Sequence, residues 1–117
     1  MREKTLEEYI NCPFHLAMNV LEGKWKFAIL YVLLHRGTLR FKELERAIPD
    51  ISTRMLVKEL KHLEQKGVIN RKAYATVPPT VEYSLTEIGK SLESVIQSIT
   101  EWGKGYSEIF NNKHLMA

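Results

Sequence analysis

The sequence predicts a mainly α fold with one small antiparallel β-ribbon, on three observations. Apolar residues recur at threes and fours from Arg40 to Gly67. The period then becomes two: Ile69, Arg71 and Ala73 read as one side of a strand, and Val81, Tyr83 and Leu85 as one side of a second. From Thr86 to Phe110 the spacing returns to threes and fours. The 117 residues are the size of one domain, taken as 1–117.

Each element follows from local chemistry. Thr5 and Glu8 have capping-box spacing, so a short helical turn begins near Thr5. Pro13 suits the first position of the next helix, where a missing N–H matters little. That helix, Pro13 to Glu22, should place Phe14, Ala17 and Leu21 on one face and stop at Gly23. Trp25 to Leu34 is apolar nearly all round, which reads as a buried helix, with a core strand as the alternative. Thr38 to Arg40 is a short strand.

Arg40 to Gly67 reads as two helices joined by a tight turn. Phe41, Leu44, Ala47 and Ile48 form the first helix's stripe, and Pro49 and Asp50 end it. Ser52 suits the N-cap of the second, with Ile51 and Leu56 at the two positions of a hydrophobic staple. Gly67 suits a left-handed stop. Leu56, Leu60 and Leu63 share one side. At about 100° per residue, Arg54, Lys58, Lys61 and Gln65 fall opposite, and Glu59 and Glu64 lie nearer the flanks. Three cations and no acid on an exposed face differ from the mixed signs of a merely solvated helix. A helix-turn-helix whose second helix enters the DNA major groove has this pattern.

The ribbon follows. Thr76-Val77-Pro78-Pro79-Thr80 between its strands is an extended loop, since two prolines remove two donors. A helix-turn-helix followed by such a ribbon is a winged helix, with Arg71 and Lys72 as the wing's cations. Thr86 then caps one long helix, with Glu87 in its first turn. Its stripe is Ile88, Leu92, Val95, Ile99, Trp102, Tyr106, Ile109 and Phe110. The twenty-three residues from Ile88 to Phe110 span about 34 Å. That exceeds what a body of this size covers, so Trp102, Tyr106, Ile109 and Phe110 are expected at a dimer interface. A helix broken at Gly103 and Gly105 is the alternative.

Composition bounds the function. The net charge of +3 is modest, but Lys24 to Lys72 holds 12 Lys+Arg and 5 Asp+Glu, against 5 and 9 elsewhere. The positive potential is therefore concentrated in the middle of the chain. No stretch is long and apolar enough for a membrane helix, and MREKTLEEYI lacks a signal peptide's apolar core. A lone cysteine fits a reducing compartment, so a cytoplasmic location without membrane contact is expected. His15, His35, His62 and His114 show no metal-ligand spacing, Cys12 and His15 are only a weak pair, and no phosphate loop or nucleophile motif occurs. Neither catalysis nor a cofactor is expected.

Five phrases carry a family resemblance: Cys12-Pro13; Gly23-Lys24-Trp25; Arg40-Phe41-Lys42-Glu43-Leu44; Ile51-Ser52-Thr53-Arg54-Met55-Leu56; and Val77-Pro78-Pro79-Thr80-Val81-Glu82-Tyr83-Ser84-Leu85-Thr86. In this order, over about Cys12 to Gly103, the chain resembles the HxlR family of bacterial winged-helix regulators, relatives of the MarR group. Thr53 and Glu87 stand near positions where that family usually has a small residue or proline. The resemblance implies a homodimer, joined by terminal helices, on an inverted-repeat operator. It also implies an aldehyde, quinone or oxidant as a candidate effector, sensed in some members through a cysteine at the place of Cys12.

The residues supply roles. Arg54, near the start of the second helix, can reach a guanine edge through two N–H groups. Ser52 and Thr53 can donate to a phosphate or base. Lys58 and Lys61 suit phosphates, as do Arg71 and Lys72 on the wing, which could also enter the minor groove. Lys24 and Lys42 are further phosphate candidates. Cys12 has two readings: a small buried apolar residue, or a sensor thiolate at a helix N-terminus. A winged-helix module that binds protein and not DNA is the rival function, and it has no need of the basic face.

Overall fold

The computed structural model describes residues 3–114, with side chains described through residue 111. His114's side chain therefore lies outside the described residues. The order is α1 (Leu6–Ile10), α2 (Pro13–Leu21), α3 (Lys26–Arg36), β1 (Leu39–Arg40), α4 (Phe41–Ala47), α5 (Thr53–Gln65), β2 (Ile69–Tyr74), β3 (Thr80–Leu85), α6 (Glu87–Lys90) and α7 (Glu93–His114). The strands form one antiparallel sheet in the order β1-β3-β2.

The caps behave as their chemistry dictates. Thr5 Oγ1 accepts from Glu8 N, and Glu8 Oε2 accepts from Thr5 N, so the capping box of α1 is complete. Ser52 Oγ accepts from Met55 N at 3.1 Å, and both staple residues, Ile51 and Leu56, are buried. Asp50 takes a left-handed φ of 67° in the turn between α4 and α5. Gly67 (φ 78°) ends α5 in a Schellman arrangement. Gly67 N donates to Glu64 O, and Val68 N to Leu63 O.

The apolar stretch is a helix, Lys26–Arg36 with Trp25 as its N-cap, not a strand, and its Ile29, Leu30 and Leu33 are buried at the centre of the molecule. Helix α3 packs against β3, α4 and α7. Leu44 and Ile48 join it from the α4 segment, Leu56, Leu60 and Leu63 from α5, and Ile69 and Tyr83 from the sheet.

Three expectations need correction. Helix α2 stops at Leu21 with Glu22 as its cap, and of the expected face only Leu21 is buried. Phe14 and Ala17 are exposed, because only the last turn of α2 lies over the core. The long terminal helix is two helices. Thr86 caps α6 through Gly89 N at 3.0 Å, while Thr86 N is held by Val68 O at 3.1 Å. The chain then turns at Ser91 and Leu92 before α7 begins, which resets the phase of the stripe. Ile88 is exposed, and Ile96, outside the expected stripe, is the residue buried against the core. Helix α7 passes through Gly103 and Gly105 without a break. Last, the loop between β2 and β3 is not a two-residue turn, as expected, but neither is it extended. Tyr74 pairs directly with Thr80, and Thr76 Oγ1 donates to Pro78 O at 2.7 Å, so the chain doubles back.

Candidate nucleic-acid interface

Helix α5 separates its two faces fully. Leu56, Leu60 and Leu63 are buried, while Arg54, Lys58 and Lys61 stand in solvent on the far side. Burial of three leucines orients the helix without direction-specific bonds, and the cations face outward as a consequence. Ser52 accepts its cap bond at Oγ, which leaves the hydroxyl hydrogen for an outside acceptor.

The hydroxyl of Thr53, a candidate DNA donor, has a partner within the protein. It donates to Glu45 Oε2 on α4 and ties the start of α5 to the preceding helix. This bond, aided by Lys42, holds the Glu45 carboxyl below the usual carboxylate range. Lys42 Nζ lies 3.6 Å from Glu45 Oε1, so part of its charge is answered within the turn. Lys24 is exposed, its ammonium 4.6 Å from the centre of the Trp25 ring. Glu59, expected at a flank of α5, is buried and accepts from Lys26 Nζ.

The wing splits its two cations. Arg71 pairs across the ladder with Tyr83 and Lys72 with Glu82, so they point to opposite faces. Both are exposed, and Lys72 Nζ lies 5.1 Å from the Tyr74 ring centre. Arg40 pairs with Glu82 from the other side. It therefore shares the outer face with Lys72, a cation that sequence reading passed over because a two-residue strand carries no legible period.

At the other end, Cys12 is the half-buried N-cap of α2. Lys4 Nζ lies 3.7 Å from its sulfur. The thiol is shifted below its ordinary range chiefly by the backbone N–H groups of His15 and Phe14, against the opposing effect of burial, with a lesser contribution from the Lys4 ammonium. Along α7, Trp102, Tyr106, Ile109 and Phe110 are all exposed. Trp102 stacks on Tyr106 and Tyr106 on Phe110, each with ring centres 5.3 Å apart. Among the described residues no three His, Cys, Asp or Glu side chains gather as a metal site, and no helix is long and apolar enough to cross a membrane.

A helix-turn-helix with an outward basic face, followed by a two-stranded ribbon, defines a winged helix-turn-helix transcriptional regulator. The chain belongs to the HxlR-like helix-turn-helix family, whose pattern matches residues 20–110. It is 45% identical over 98 residues to the HTH-type transcriptional regulator YkvN of Bacillus subtilis, covering 84% of this chain and 82% of that one. It is 48% identical over 100 residues to an HTH-type regulator of Methanothermobacter thermautotrophicus, covering 86% and 75%. Among solved structures, the redox regulator HypR in its reduced form superposes with a TM-score of 0.79 at 39% identity, over 86% of this chain and 98% of that one. Reduced YodB from B. subtilis gives 0.72 at 38%, over 83% and 95%. Family and relatives are transcriptional regulators, not enzymes.

Proposed function

We propose that the chain acts in the cytoplasm as a homodimer on an inverted-repeat DNA operator, and that oxidation or alkylation of Cys12 tunes that binding. The exposed Arg54, Lys58 and Lys61, opposite three buried leucines, carry the reading. Arg54, in the first turn of α5, reads a base edge, and Lys58 and Lys61 hold phosphates along the groove. Arg71 and Lys72, on opposite faces of the wing, meet the two walls of the flanking minor groove. The basic face also favours DNA over a protein partner.

The dimer rests on exposed apolar surface. Of the sixteen exposed large apolar side chains among the described residues, eleven lie on α1, α2 and α7. The Cα radius of gyration is 17.6 Å, against about 13 Å for a compact chain of this length. The terminal helices thus project from the body, and a second copy would cover them. Likeness to the redox regulators HypR and YodB, and a thiol favoured as thiolate at a helix start, support the response at Cys12.

Selection of bound duplexes from a random pool tests the proposal. It should return two half-sites in inverted orientation about one helical turn apart. Affinity for the selected duplex should fall steeply with salt. A pool without enrichment, or binding indifferent to salt, removes the DNA assignment.

A further inference from the structure

One buried ion pair lies outside the basic face and the thiol. Lys26 opens α3 and Glu59 lies mid-way along α5, and they are 8% and 7% exposed. Lys26 Nζ donates to Glu59 Oε2 at 2.5 Å across 33 residues of sequence. Neither local structure nor stability accounts for the pair. A cation at the first position of a helix opposes the helix dipole, and α3 has no acid in its first turn. Buried ion pairs replaced by apolar residues of similar volume commonly leave stability equal or higher.

Direction is what the pair adds. Leucine contacts tolerate roll and slide, whereas a charge-assisted hydrogen bond has a defined length and angle. At about 100° per residue, Arg54, Lys58 and Lys61 lie roughly 100–160° around α5 from Glu59. A roll of roughly 10° would move a side-chain tip at the helix surface by about 1 Å, enough to break a base-edge hydrogen bond. We infer that the Lys26–Glu59 pair fixes the rotational setting of α5 on the core and is the positioning element for base reading. This rests on the DNA-binding function proposed above.

Single variants such as Lys26→Met leave a buried charge alone and are expected to unfold in part. The test therefore uses the full chain with Lys26→Met and Glu59→Leu together. Two readouts are compared with wild type. The first, free of DNA, is the orientation of α5 against α3 from backbone residual dipolar couplings. The second is the ratio of affinities for the selected operator and a scrambled duplex, at several salt concentrations. The double variant should melt no lower than wild type, and its α5 couplings should no longer fit the wild-type orientation. The operator ratio should fall roughly tenfold with the salt slope unchanged, because phosphate contacts tolerate the roll. An unchanged orientation, or an unchanged ratio, overturns the inference. If wild type binds no duplex, the proposed function fails by itself, and the couplings still decide whether the pair sets α5.

Discussion

Gly89 offers a sharp test of how the wing is joined to the terminal helix. A Cβ at Gly89 would stand 2.1 Å from the Val68 carbonyl oxygen and 3.2 Å from Leu85 Cδ2. Carbon and carbonyl oxygen normally approach to about 3.3 Å, so the overlap is roughly 1.2 Å. The carbonyl does not yield easily, because Val68 O also accepts from Thr86 N at 3.1 Å and Thr86 caps α6. Two effects oppose each other in Gly89→Ala. Alanine gains about 0.8–1.0 kcal/mol of helix propensity. Overpacking against backbone is set at the upper part of the usual range of about 1–3 kcal/mol. The clash should win by about 1–2 kcal/mol, lowering Tm by roughly 4–8 °C. Gly105→Ala is the control. It lies inside α7 with nothing within 4 Å of its Cβ, so it should gain up to about 1 kcal/mol. Urea unfolding followed by circular dichroism, at one fixed protomer concentration, measures both. If Gly89→Ala is as stable as wild type while Gly105→Ala is stabilised, α6 does not sit on Val68 as described.

Other expectations follow from the same geometry. Trp102→Asp with Ile109→Asp puts two charges into the α7 stripe and should give a monomer or an unfolded chain by sedimentation. Wild type sedimenting as a monomer at micromolar concentration would remove the dimer. Cys12 should alkylate with a pH midpoint below that of a free thiol, since the α2 backbone N–H groups and Lys4 favour the thiolate. In the folded chain that thiolate contributes stability at high pH, which is lost as pH falls through its lowered pKa. An oxidant or quinone should weaken operator binding, and Cys12→Ser should abolish that response; equal responses return Cys12 to a structural role. Arg54→Ala should cost about 1–3 kcal/mol and relax preference at one base pair per half-site. Lys58→Ala, Arg71→Ala and Lys72→Ala should instead weaken all duplexes alike, reducing the salt slope by about 2 per dimer. Equal loss on operator and scrambled DNA for Arg54→Ala would make it a phosphate contact.

What the sequence determined by itself is what local spacing controls. The caps at Thr5 and Ser52, the stop at Gly67 and the two faces of α5 each depend on residues within a turn or two of one another. Periods of three to four and of two then separate helix from ribbon without knowledge of any partner. Tertiary structure decided what depends on distant partners. The Thr53 hydroxyl is engaged by Glu45, eight residues away on another helix. Glu59 leaves the surface because Lys26 meets it across 33 residues. The terminal helix breaks at Ser91 and Leu92 because α6 is held to Val68, and the new phase buries Ile96 in place of Ile88. Arg71 and Lys72 part to opposite faces because the ladder sets one across from Tyr83 and the other across from Glu82. A charge in the sequence is only a count; its direction comes from the residue packed or paired on its other side.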